Sequence, residues 1–375
     1  MQISNTLRIK NMNTIGQNIT LTLFGESHGE AIGAVLDGMT AGIAVDEAFI
    51  AEQLSKRRPQ GATDTARQEQ DHFKIVSGVF NGYTTGAPIC IIIPNENTRS
   101  GDYAKTYGLA RPSHADYTAH VKYSGFEDYR GGGHFSGRIT AAIVAAGAIA
   151  IKALEGKGVR IGTHILSCGG VRDVDFCTNA ESIEHGIEVL NSKTFPVVNH
   201  IEEDITNAII GVKNNLDSIG GIVQTAITGL EAGIGEPWFD SLEGVIAKAV
   251  FAIGGVKGIE FGKGFDLANM TGATANDPFC IENGAVRTRT NNNGGINGGI
   301  SNGMPVVFNT AVKPTPSISQ SQQTINFLTG KEETLNLTGR HDPAIVRRIC
   351  IVISSMVAIV LCDMLSIKNG QNYLR

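Results

Sequence analysis

The sequence predicts an α/β protein, and three observations carry that expectation. Strand-length runs of alternating or wholly apolar residues recur along the chain, separated by longer runs with helical periodicity. Hydrophobic residues make up 42% of 375, enough for a large core without disulfide or metal staples. One helical run, residues 139–154, is apolar on nearly every face and rich in alanine, which suits a helix at the middle of the fold.

Taken in order, residues 1–11 show no periodicity and read as an extension, and residues 12–375 read as one domain. Residues 18–24 alternate as a strand does, and residues 31–36 make a second strand, so Gly25-Glu26-Ser27-His28-Gly29 is the turn between them. His28 at that tip is either an exposed turn residue or a functional group, with nothing local to decide. Asp46 reads as the N-cap of a helix through Lys56, with Phe49, Ile50 and Leu54 as its apolar stripe. Its end delivers Lys56-Arg57-Arg58-Pro59, where the helix dipole favours cations whether or not they bind anything. Residues 64–71 read as a polar loop, and residues 73–79 and 89–93 as strands, the second apolar enough to be buried on both faces.

Ser113 reads as the cap of a short helix to Tyr123 with His114 in its first turn. Ser136 caps the 139–154 helix, which Gly156 and Gly158 end. Then follow a strand at 159–167, a polar excursion at 168–196, an amphipathic helix at 200–216 and a strand at 221–230. Asp240 caps a helix to Ala252, and Gly254-Gly255 break the chain before a strand at 256–261. Residues 269–289 read as a loop and residues 291–303 as a second glycine-rich stretch. A strand at 305–312 leads into Lys313-Pro314-Thr315-Pro316-Ser317, stiffened by two prolines. Asp342 and Pro343 read as N-cap and first residue of a C-terminal helix. Its apolar run, 349–362, is shorter than the ~20 residues of a membrane span and reads as a core helix.

Composition narrows the function. A net charge of −5 argues against a general nucleic-acid binder. The six cysteines include no CxxC pair, so neither a zinc site nor a disulfide framework is expected, and no metal is assigned. Reduced thiols, with no signal peptide in residues 1–10, fit a cytoplasmic protein.

The richest chemistry lies at residues 111–140, where Arg111, Arg130, Arg138, His114, His120 and His134 surround Gly131-Gly132-Gly133. Glycines allow close backbone approach, and the helix start behind them offers N–H groups and a positive dipole end. With arginines on both sides this points to phosphate or carboxylate binding; the alternative is a surface loop before a core helix.

Seven stretches then share one pattern: GESHG at 25–29, KRRP at 56–59, RPSHAD at 111–116, RGGG at 130–133, GGISNG at 298–303, KPTPS at 313–317 and GRHDP at 339–343. Together they resemble the chorismate synthase family, over residues 13–368. The resemblance implies an α+β sandwich of two antiparallel sheets enclosing a layer of central helices, assembled as a cytoplasmic homotetramer. It implies a lyase of aromatic amino-acid biosynthesis. Such an enzyme makes chorismate by 1,4-anti elimination of phosphate from 5-enolpyruvylshikimate 3-phosphate, and needs reduced FMN without net redox change.

By position, the resemblance assigns catalysis to His28, His114 and Asp342. Cofactor contacts fall on His134, Phe135, Ser136, Gly254, Gly255, Gly298, Lys313, Pro314, Thr315, Pro316, Ser317 and Arg340, with Arg57 matching an arginine assigned to NADP in some members. Arg57, Arg58, Arg111, Arg130 and Arg138 suit the substrate's phosphate and carboxylates, because a guanidinium binds oxyanions bidentately and stays charged. Some members reduce their own flavin with NADPH; others use an outside reductant. Two departures stand out. The glycine run continues HFSGRIT where many members have RSSARET, and the loop at 60–66 lacks an arginine that NADP-using members carry; Arg67 is the nearest substitute. Two other readings stand beside this one: an ordinary flavin oxidoreductase, which would consume NADPH at each turnover, and a non-catalytic phospholigand binder, which has no need of His28, His114 and Asp342.

Overall fold

The computed structural model describes residues 13–64, 70–96, 107–177, 182–337 and 342–375. The N-terminal extension, Arg67, Arg340 and His341 lie outside the described residues.

Strand Thr20–Gly25 turns back through GESHG into Ala31–Asp37, as the alternation predicts, in register from Thr20 opposite Asp37 to Gly25 opposite Ile32. Thr14–Ile15, Ile89–Pro94 and Lys74–Ser77 complete an antiparallel sheet. A second antiparallel sheet runs, across its width, Val256–Phe261, Val306–Val312, Gly221–Thr228, Arg160–Cys168 and Val171–Arg172. Helices Thr140–Glu155 and Val346–Asn369 lie between the sheets and touch both. One continuous core joins both sheets and these helices, including Ile32, Ile91, Val144, Val223, Phe308 and Ile353. Each such side chain contributes about 1.5–3 kcal/mol on burial.

The central pair packs closely because its contact face is small. A methyl group on Gly147 would stand 2.3 Å from Ser355 Cβ. Gly147 faces Ser355, and the Ala150 carbonyl accepts from Cys362 further on, so the helices run in the same direction and begin at the same end. Val346–Asn369 has 24 residues and extends past its apolar run at both ends, with Asp363 turned inward. The buried Asp363 carboxylate accepts from the backbone N–H groups of Gln17, Asn18 and Ile19 at 2.8–2.9 Å. By length and composition this helix could cross a membrane, but 94% of its most apolar window is buried inside the protein.

Glu47–Arg57 is capped by Asp46 as expected, through the Phe49 N–H. Three other caps differ. Ser113 sits at φ +60 in a turn closed by the His114 N–H on the Arg111 carbonyl, so the helix starts only at Asp116 and His114 precedes it. Ser241, not Asp240, caps Leu242–Phe251 through the Gly244 N–H. Asp342 does not cap the C-terminal helix, which begins at Val346; its carboxylate pairs with Arg348 instead, at 2.6 Å. The stretch expected as a loop at 269–289 contains a hairpin, Phe279–Glu282 with Ala285–Thr288, turned by Asn283-Gly284, both at positive φ. The polar excursion at 168–196 folds partly as helix Ile183–Ser192, packed on the outer face of the second sheet with Phe176 buried beneath it.

Candidate active site

Two loops lead into the central helices: the one before Thr140–Glu155 carries Arg130, His134, Phe135, Ser136 and Arg138, and the one before Val346–Asn369 carries Asp342. In the first, Arg130–Phe135, the glycines take φ of +59, +83 and +52 in succession, conformations that side-chain-bearing residues rarely adopt. Their missing side chains make room for two imidazoles. His28 lies against Gly131 and His114 against Gly132. The Ser27 N–H donates to the Gly133 carbonyl at 3.1 Å, fastening the GESHG turn to the loop. His28 is therefore 7% exposed, which decides its two readings against an exposed turn residue.

His114 is oriented by Asp116, whose Oδ1 lies 2.7 Å from Nδ1. Arg111 Nη2 lies 3.0 Å from the same Nδ1, but the ionised Asp116 carboxylate can only accept, so Nδ1–H goes to it at the shorter distance and Nε2 is left toward Gly132. Arg111 also clasps Asp116 through Nε at 2.8 Å and Nη2 at 2.7 Å. Burial raises the Asp116 carboxyl, but the hydrogen bonds from Arg111 and His114 outweigh it and hold the group well below its ordinary value.

The Lys313–Ser317 loop packs on this array. Arg111 Nη1 donates to Ser317 Oγ at 3.3 Å, and Lys313 Nζ donates to the Ser113 carbonyl. Burial and the neighbouring Lys257 charge push the Lys313 ammonium down, an imbalance that a bound anion would relieve. The Thr315 hydroxyl is buried without a hydrogen-bond partner among the described residues. The Lys313 N–H donates to the Gly255 carbonyl at 2.9 Å, and a methyl group on Gly255 would stand 2.8 Å from Ile345 Cδ1, so Gly255 and the segment after Asp342 join the same end of the molecule. A side chain at Gly254 would meet open space.

The remaining arginines differ in setting. Arg130 grips Asp128 through two 2.8 Å bonds and is partly exposed; those bonds first, and the nearby His28 charge last, hold the Asp128 carboxyl low. Arg57 and Arg138 are buried and share Asp71, a fully buried carboxylate on a residue at φ +54. Arg58 donates to Gln70 at 3.2 Å and lines a groove of about 480 Å³ with Asp71, His72 and Phe73. The RRP backbone is held by Arg348, which donates to the Arg57 carbonyl, and by Arg347, which donates to that of Arg58. His134 Nδ1 donates to the Gly25 carbonyl at 2.8 Å, Phe135 stands half exposed near Tyr123, and Ser136 caps the turn that enters the Thr140–Glu155 helix.

Gly298 is the exception. It turns the small hairpin between Ile296–Asn297 and Ile300–Ser301, at the start of strand Val306–Val312, whereas Lys313 follows its end. Seven residues of strand, at ~3.3 Å each, separate the two by ~20 Å within one chain.

Three contributors escaped sequence reading: Ser27, Asp71 and Asp116. Ser27 and Asp116 carried a signal, each in the same motif as a site histidine; Asp71 is recognisable only by its tertiary partners, Arg57 and Arg138.

A family model described as chorismate synthase matches residues 19–366. The chain belongs to the chorismate synthase family. The chorismate synthase of Dehalococcoides mccartyi is 44% identical over 364 residues, covering 96% of this chain and 97% of the relative. That of Methanocaldococcus jannaschii is 42% identical over 369 residues, covering 96% and 97%. A solved structure titled as a crystal structure of chorismate synthase superposes with a TM-score of 0.75 at 29% identity, covering 95% of this chain and 94% of that one. The expected sandwich of antiparallel sheets around central helices is the chorismate synthase fold found here, and the chain is an enzyme of that family.

Proposed function

We propose that the enzyme is a lyase converting 5-enolpyruvylshikimate 3-phosphate to chorismate and phosphate, with reduced FMN required and not consumed. The observation that carries this reading is the pair of histidines, His28 and His114, set on adjacent glycines of one left-handed loop. In the loop beside them the Lys313 ammonium is pushed down by burial and by the Lys257 charge.

In the elimination the C–O bond to phosphate breaks, a ring proton leaves from the other end of the allylic system, and a second ring double bond forms. No net electrons enter or leave. His114, protonated on Nε2 and steadied through Nδ1 by Asp116, donates to the departing phosphate as charge grows on its oxygen. Arg111, Arg130 and Arg58 bind the substrate's anionic groups, with Arg57 and Arg138 fixed behind them by Asp71.

The residues present fit a flavin mononucleotide. Lys313 with its lysine neighbour, the buried Thr315 hydroxyl and the Ser317 hydroxyl suit its phosphate and polar edge, and Gly255 allows close backbone approach. Reduced FMN would supply electron density that eases loss of phosphate. His28 would hold a proton beside it, and Asp342, tied to Arg348, lies on the segment adjoining Gly255. The homotetramer is part of the proposal: Gly298, toward the opposite end of strand Val306–Val312 from Lys313, would meet a flavin held by Lys313–Ser317 from a second copy of the chain. Reduction of the flavin, by NADPH or an outside reductase, and a cytoplasmic setting complete it.

The test is anaerobic incubation with the substrate and chemically reduced FMN, following chorismate and phosphate. Equal release of both supports the reading; phosphate without chorismate, or neither, overturns it.

A further inference from the structure

The turn that carries His28 is held from outside by a residue with no assigned role. Asn95 follows strand Ile89–Pro94 and faces the GESHG turn. Its Nδ2 donates both hydrogens, at 2.9 Å to the Glu26 carbonyl and at 2.9 Å to the Gly29 carbonyl, the two residues that bracket Ser27 and His28. Its backbone N–H donates to the Glu30 carbonyl at 3.0 Å. Its Oδ1 accepts from Arg138 Nε at 3.0 Å, which fixes the carboxamide with its N–H groups toward the turn. Arg138 is itself set by the Pro94 carbonyl at 3.0 Å and by the buried Asp71.

We propose that Asn95 is a positioning residue for His28: it clamps the turn so that the imidazole rests against Gly131, and Arg138 holds Asn95 in the orientation that does so. Its importance for turnover rests on His28 acting in the reaction as proposed above. A loop crossing between two strands has several ways to fold. Two carbonyl bonds from one carboxamide select one of them, and a misplacement near 1 Å at a reacting group costs up to ~10²-fold in rate.

The test uses Asn95→Asp, which keeps the shape and the acceptor for Arg138 but removes both N–H donors, with Asn95→Ala as the second variant. Two readouts are taken on the full-length enzyme. The first is the His28 imidazole titration by NMR with labelled histidine, assigned by comparison with His28→Ala. The second is kcat with reduced FMN in the Asn95→Asp, His28→Ala and doubly substituted enzymes. The expected results are a displaced His28 resonance with that of His114 unmoved, and a kcat lowered ~10-fold or more with KM nearly unchanged. The double variant should be no slower than His28→Ala alone. An unmoved His28 resonance in both Asn95 variants, or losses that multiply in the double variant, would overturn the proposal. A wild-type kcat in His28→Ala, with the resonance still displaced by Asn95→Asp, would instead overturn the role given to His28 and leave Asn95 as the group that positions it.

Discussion

A methyl group added to Gly131 would stand 2.3 Å from Cε1 and 2.4 Å from Nδ1 of His28. The glycine loop and the histidine therefore define each other's position, and neither contact survives a side chain. Gly131→Ala must move the imidazole or the loop, and it also places a Cβ at φ +59. The left-handed conformation alone costs about 1–2 kcal/mol, which a chain of this size tolerates. Gly131→Ala is expected to fold and to lose most of its activity. Circular dichroism melting alongside steady-state kinetics checks this, and a variant with near-normal kcat would show that His28 need not sit where the loop places it.

Asp116 gives a pH-dependent prediction. Its carboxyl is held below the ordinary value of 3.8, so it stabilises the fold fully above that value, and the contribution fades as pH falls through the lower folded-state value. Asp116→Asn is expected to be less stable than wild type at neutral pH, with the gap narrowing below pH 3.8. Urea denaturation at several pH values measures it. A gap that is constant with pH would mean that the carboxylate's pairing with Arg111 and His114 adds nothing to stability.

The histidines and arginines should separate kinetically. A group that acts on charge developing during bond breaking appears in kcat, whereas one that binds ground and transition states alike appears in KM. His114→Ala is expected to lower kcat by ~10²-fold or more with a modest change in KM. Arg58→Ala, in the groove beside Gln70 and His72, is expected to raise KM chiefly. Steady-state kinetics on both variants decides; a His114→Ala enzyme with full kcat would remove it as the acid for the leaving phosphate.

The loop at 60–66 contains no arginine. NADPH alone is accordingly expected to bleach bound FMN more slowly than the enzyme turns over with dithionite-reduced flavin. Stopped-flow absorbance of the flavin follows this directly, and reduction as fast as turnover would mean that another cation takes the nucleotide's phosphate.

Much of this was legible in the chain, and the exceptions share a cause. The Glu47–Arg57 and Thr140–Glu155 helices announce themselves by a cap and by apolar character, both local properties. The Asn283-Gly284 hairpin was missed although its turn dipeptide is a strong signal, because Phe279, Ile281 and Val286 are exposed and no buried face fixes an alternation. Asp342 looked like a helix cap because Pro343 follows it, but Arg348, in the first turn of the helix, competes for its carboxylate and wins. The glycines and histidines of the site were visible as types. Their pairing, Gly131 with His28 and Gly132 with His114, depends on segments a hundred residues apart or on turn geometry. Asn95 had no signal, since its carboxamide is meaningful only beside the Glu26 and Gly29 carbonyls.

The most direct measurement is the number of chorismate molecules formed per reduced flavin under strict anaerobiosis, with flavin absorbance recorded throughout. The account predicts many turnovers per flavin, with the spectrum of reduced FMN restored when substrate is exhausted. One chorismate per flavin, with stoichiometric appearance of oxidised FMN, would contradict it.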